Sequence, residues 1–150
     1  MNSNHNPDTT QSALRVLIVD DSSEDAILVA QILRNINFPL SWERMENEND
    51  YILQLQTPPD LIPADYGPPQ FNAVQALDLV QRRGRSVPFI VVSGTIGGDA
   101  AAGMMKRNAT DYVLKDRLSR LRPAVTRFAG SQQNRLLLDG NRAGGSTTNL

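Results

Sequence analysis

Residues 15–25 read Arg15-Val16-Leu17-Ile18-Val19-Asp20-Asp21-Ser22-Ser23-Glu24-Asp25. The run from Val16 to Val19 is continuously apolar and rich in β-branched side chains, the pattern of a strand buried on both faces. It stops at two adjacent carboxylates. Like charges side by side repel, so solvent, a cationic side chain or a metal ion must offset them. The pattern then becomes helical, with Ala26, Val29, Ala30, Leu33 and Ile36 on one face. Ser22 or Ser23 suits the N-cap, and Glu24 and Asp25 fall in the first turn, where the helix dipole favours acids.

Working outward, strands and helices keep alternating. Strand patterns fall at 41–45, 60–65, 87–92 and 111–114, and helical patterns at 49–56, 71–83 and 99–108. In the third helix Val74, Leu77 and Val80 face inward, and Gly84 closes it. A last turn and helix carry Leu118, Leu121, Val125 and Phe128, with Pro123 near the first regular position, since proline is excluded from a helix interior. Five strands alternating with about five helices predict an α/β fold: a doubly wound, five-stranded parallel sheet with helices on both faces. Sites in such sheets lie beyond the carboxyl ends of the strands. Asp20 and Asp21 end the first strand, Asp65 the third, Ser93 the fourth and Lys115 the fifth.

The composition narrows the chemistry. The chain of 150 residues has room for one domain with a core, and its net charge of −1 provides no basic field for nucleic acid. It has no cysteine and one histidine, His5, which excludes thiol catalysis, disulfides and histidine or cysteine metal clusters. No apolar run approaches the ~20 residues of a membrane span, and the first residues lack a signal-peptide pattern. A cytoplasmic protein with no membrane contact is expected. Residues 1–12 read as a disordered N-terminal segment and 13–129 as the domain. Residues 130–150 read as a polar extension, partly helical around Leu136-Leu137-Leu138 and then disordered.

Gathered at one sheet edge, three carboxylates, a hydroxyl and a lysine describe a particular chemistry. Oxygen ligands without soft donors suit Mg²⁺. A lysine beside them suits an oxyanion, and a hydroxyl can donate to it. Together they point to phosphoryl chemistry. The motifs VDD (19–21), LIPADYGPP (61–69), VVSGT (91–95) and DYVLK (111–115), with intervals of 44, 28 and 22 residues from Asp21 through Asp65 and Ser93 to Lys115, make the sequence resemble a response-regulator receiver domain of two-component signalling. The longer wording VSGTIG and DYVLKD is similar to that of a subgroup often found as single-domain receivers.

The resemblance implies a flavodoxin-like receiver fold with strand order 2-1-3-4-5, and a role for each residue. Asp65 would be the phosphoacceptor. Asp20, Asp21, Asp65 and the Gly67 carbonyl would hold Mg²⁺, with Asp21 direct and Asp20 mainly through water. Ser93, Gly94 and Lys115 would receive the phosphoryl group, Lys115 pairing with Asp65 at rest. Ser93 and Tyr112 would be the coupled switch. The implied function is a phosphorylation-dependent signalling switch within a phosphorelay. A sensor histidine kinase or phosphotransfer protein would be the donor. A downstream protein would bind the face of the fourth helix, fifth strand and fifth helix, which could also pair two copies. Catalysis would be confined to the chain's own phosphorylation and dephosphorylation, without turnover of a separate substrate. The alternative is a pseudo-receiver, a phosphorylation-independent interaction module. A haloacid-dehalogenase-like phosphatase fits less well, because DDSSE places the second aspartate of its DxDx[TV] motif one position early.

Three residues depart from the family pattern. Pro63 stands inside the third strand, where it removes a ladder donor. Pro68 precedes Pro69 in the following loop. Asp116 follows Lys115 where many receivers have proline, so a trans Lys115 peptide is expected, a non-proline cis bond being costly.

Overall fold

The computed structural model describes residues 13–34, 39–67, 70–84, 86–94 and 98–126. The N-terminal segment, the C-terminal extension, Ile36, Phe128, Pro68 and the 95–97 part of VSGTIG lie outside the described residues.

The described elements are β1 (Leu14–Val19), α1 (Ser23–Leu33), β2 (Leu40–Met45), α2 (Glu48–Gln54), β3 (Ile62–Asp65), α3 (Ala73–Arg82), β4 (Phe89–Ser93), α4 (Gly98–Lys106) and β5 (Asp111–Leu114). A 3₁₀ segment over Lys115–Arg120 leads into helical residues 121–126, here α5. All five strands are parallel, in the order β2-β1-β3-β4-β5. This is the flavodoxin-like order expected from the resemblance.

Alternation along the strands builds two cores. Leu17, Val19, Ile62, Ala64, Phe89 and Val91 pack with Tyr51 and Leu55 at α2, Ala76, Leu77 and Val80 of α3, and Met104 of α4. Val16, Ile18, Ile90, Val92 and Val113 pack on the other face with Ala26, Val29, Ala30 and Leu33 of α1 and Leu121 and Val125 of α5. Both faces are therefore covered, which is why the interior strands β1 and β4 read as apolar runs.

Several boundaries move from the sequence reading. Asn72 caps α3 with a full capping box, its side chain accepting from the Gln75 amide while the Gln75 side chain accepts from the Asn72 amide. The helix therefore begins at Ala73, two residues later than expected. Ala73 and Ala76 are buried with Leu77 and Val80, while Val74 is only half-buried. Pro123 is the third residue of α5, because a 3₁₀ turn starts the helix before it. Met104 is buried but Met105 is exposed.

Pro63 is accommodated by strand parity. The amides of Ile62 and Tyr66 donate toward β4, to Pro88 O at 3.0 Å and Val92 O at 3.0 Å. The odd positions of β3 therefore face β1, and the missing donor of Pro63 falls on that side. Pairing of β3 with β4 continues unbroken from Ile62↔Phe89 to Asp65↔Val92. Pairing with β1 is reduced to Val19↔Ala64 and a separate bridge Val16↔Leu61, in the same register. One seam is weakened, while the end of β3 keeps its place. No described peptide bond is cis, so the Lys115–Asp116 peptide is trans as expected.

Candidate functional site

The order β2-β1-β3 puts the switch in strand order between β1 and β3, and opens a crevice beyond their carboxyl ends. Asp20 leaves β1 there, and Asp65 is the last residue of β3. Asp20 and Asp65 are buried, and Asp21 is exposed at the mouth. One carboxylate oxygen from each of Asp20, Asp21 and Asp65 lies within 4.8 Å of the others.

Each acid is held locally. The Asp20 amide donates to Met45 O (3.1 Å), and Asp20 Oδ1 accepts from the Ser22 amide (2.9 Å). Arg44 Nη1, paired with Glu46, donates to the Asp20 carbonyl (3.2 Å). Ser22 in turn caps α1, its Oγ accepting from the Asp25 amide at 3.2 Å. Asp65 Oδ1 accepts from the Gly67 amide at 3.1 Å. A Cβ on Gly67 would stand 3.6 Å from that same Oδ1, so the loop passes close to the carboxylate.

Lys115, next after β5, reaches back across the sheet edge. Its Nζ lies 3.0 Å from Asp65 Oδ2, 3.4 Å from Asp20 Oδ2 and 2.6 Å from Asp25 Oδ2. Burial alone would lower the Lys115 pKa. The hydrogen bonds to Asp25 and Asp65, with the charge of Asp20, outweigh it and raise the pKa above the usual lysine value. Burial dominates at Asp20 and pushes its carboxyl from 3.8 up to about 6. The Ser22 amide opposes that rise, and the neighbouring Asp65 adds to it. A buried carboxyl that binds a proton so readily, facing two more carboxylates, is a place where a cation relieves electrostatic cost.

Ser93 is buried as the last residue of β4, whose Val92 pairs with Asp65. Gly94 is exposed, and a Cβ there would stand 3.9 Å from Lys115 Cδ. Tyr112 lies in β5 opposite Val91 and packs on the core that contains Met104. Its hydroxyl is buried with no hydrogen-bond partner among the described residues. The structure thus brings together Asp20, Asp21, Asp65, Gly67 and Lys115, with Ser93 and Gly94 on the adjoining strand end and Tyr112 further back along β5.

The sequence reading missed Asp25 as a member of the site, treating it as a helix-dipole acid. The signal was present. With Ser22 as the cap, Asp25 is the third helical residue, and a side chain there tilts back toward the helix N-terminus and the strand ends.

No protein-family model matches the chain. A curated relative, the two-component response regulator ORR6 of Oryza sativa subsp. japonica, is 27% identical over 112 residues, covering 72% of this chain and 66% of the relative. The chain thus spans just under two thirds of that relative's length. Among solved structures, the signal receiver domain of a protein designated a Luxo repressor from Vibrio parahaemolyticus superposes with a TM-score of 0.72. It is 24% identical, over 85% of this chain and 98% of the neighbour. The phosphorylated cyanobacterial phytochrome response regulator RcpA superposes with a TM-score of 0.64. It is 21% identical, over 77% of this chain and 90% of the neighbour. By its strand order and these likenesses, the chain has the fold of response-regulator receiver domains.

Proposed function

We propose that this receiver is a phosphorylation-dependent signalling switch in which Asp65 accepts a phosphoryl group from a phosphohistidine of a sensor kinase or phosphotransfer protein. The observation that carries the reading is the setting of Asp65: Lys115 at 3.0 Å and two further carboxylates gathered beside it. An Asp65 oxygen attacks phosphorus, the new O–P bond forms as the bond to the donor nitrogen breaks, and the donor leaves with that electron pair. The product is an acyl phosphate, which water later cleaves at phosphorus. The protein acts on itself and turns over no separate substrate.

The donor set fits a hard divalent cation: carboxylate oxygens only, one of them buried and raised in pKa. Asp20, Asp21 and Asp65 would hold Mg²⁺, with the Gly67 carbonyl as a further ligand. When bound, Mg²⁺ neutralises charge on the phosphoryl oxygens and orients them. Lys115 supplies a positive point charge to one oxygen. Ser93 donates its hydroxyl to another, and Gly94 leaves the approach open. The new charge draws Ser93 forward. Tyr112, whose hydroxyl has no partner among the described residues, follows into the space. The face of α4, β5 and α5 changes and alters binding of a downstream protein or a second copy. Such signalling belongs in the cytoplasm. No described helix is long and apolar enough to cross a membrane.

Incubation with acetyl phosphate and Mg²⁺, followed by intact-mass measurement, tests the proposal. One phosphoryl adduct is expected, absent without Mg²⁺ and absent in Asp65→Asn. No adduct, together with no Mg²⁺ binding at the acidic cluster, contradicts it and favours a phosphorylation-independent interaction module.

A further inference from the structure

The shortest contact of Lys115 is to Asp25, at 2.6 Å, rather than to the proposed phosphoacceptor at 3.0 Å. Asp25 lies outside the three-carboxylate cluster that could take a metal. It sits on the first turn of α1, where its amide is tied to the Ser22 cap. An ammonium has three N–H donors, and here three carboxylates surround it, from Asp25, Asp65 and Asp20. Phosphorylation of Asp65 would convert one of these carboxylates into an acyl phosphate, whose phosphoryl group carries three strong acceptor oxygens. Asp25 would be unaltered by that reaction and would keep its place on α1.

We infer that Asp25 is a positioning residue that gives Lys115 a second seat and competes with the phosphoryl group for its ammonium. The inference rests on the receiver reading of the site. Its consequence is specific: neutralising Asp25 frees Lys115 for the phosphoryl group and favours the phosphorylated state. The effect is moderate, because the Asp25 side chain is 38% exposed and the Lys115 side chain 22% exposed, so solvent screens the pair in part.

The chain has two lysines, Lys106 and Lys115, so ¹⁵N-lysine labelling gives two ammonium signals to follow. The experiment compares the unaltered protein, Asp25→Asn and Glu24→Gln. Glu24→Gln removes the same charge from the same turn. For each protein the ammonium signals are recorded by NMR. The dissociation constant of beryllofluoride, a phosphoryl mimic, is then measured by ¹⁹F NMR at saturating Mg²⁺.

In Asp25→Asn the Lys115 signal should move while that of Lys106 stays. Beryllofluoride should bind about two- to tenfold more tightly, with a much smaller change in Glu24→Gln. An unmoved Lys115 signal overturns the inference, because the contact would then not hold the ammonium. A moved signal with unchanged or weaker beryllofluoride binding overturns it too, and makes Asp25 a support rather than a competitor. An equal gain in Glu24→Gln overturns it as a general charge effect. Failure of the unaltered protein to bind beryllofluoride would instead strike the receiver reading itself and take the competition with it.

Discussion

At the scale of single residues, Asp20 shows the cost that a bound cation would offset. Its carboxyl binds a proton more tightly in the folded chain, with a pKa of about 6, than in the unfolded chain, where 3.8 applies. The native state therefore holds the extra proton between those values, and stability contributed by this group rises as pH falls from above 6 toward 4. Metal-free protein should lose stability as pH rises through that window. Asp20→Asn should stabilise it at pH 7 by about 1–3 kcal/mol while weakening Mg²⁺ binding, as urea unfolding with and without Mg²⁺ would reveal. A second prediction concerns Tyr112, whose buried hydroxyl has no partner among the described residues. Tyr112→Phe should change stability by less than about 1 kcal/mol, or raise it, because no hydrogen bond is lost. The meeting of Asp65 and Lys115 was legible because both stand at the carboxyl ends of parallel strands, which open on one sheet edge. The Asp25–Lys115 contact spans 90 positions in the sequence. It depends on how the first turn of α1 meets the residue after β5, which hydrophobic patterning does not specify.

At the scale of elements, the caps aim the site. Ser22 starts α1 immediately after the acidic pair, and this puts Asp25 over the crevice. Asn72 does the equivalent work for α3, which follows the Asp65 loop. Asn72→Ala should lower stability by about 1 kcal/mol in urea or thermal unfolding, through loss of the capping interactions. β1 and β4 were readable as apolar runs, and β5 falls on the expected residues 111–114. The start of α3 was not readable from periodicity, because Phe71 is buried beside Tyr51 without being helical. Its apolar side chain extends the pattern one residue before the cap, two before the first helical residue. The proline in β3 was legible as an anomaly, but its consequence depends on strand parity. Because residue 63 faces β1, the β3–β4 ladder that carries Asp65 to Ser93's neighbour stays whole. A proline one residue along would have broken that ladder instead.

At the scale of the whole molecule, five parallel strands deliver residues far apart in sequence to one edge, and two cores hold that edge in place. This is why the architecture was legible: alternating patterns dictate a sheet covered on both faces, and that sheet dictates where a site lies. Leu17→Ala, in the middle of β1, should cost about 2–5 kcal/mol in chemical unfolding, since Leu17 is buried between β1 and the helices of one face. Of the side-by-side carboxylates at the end of β1, Asp20 is paired with Lys115 and Asp21 is exposed to solvent. The central claim is that Asp65, among all the acids at this edge, forms the covalent bond to phosphorus. The most direct measurement treats the protein with acetyl phosphate and Mg²⁺, then reduces it with borohydride, which converts an aspartyl phosphate to homoserine, and sequences the resulting peptides by mass spectrometry. The account predicts homoserine at position 65 alone. Homoserine at position 20, 21 or 25, or phosphate retained on a hydroxyl side chain, would contradict it.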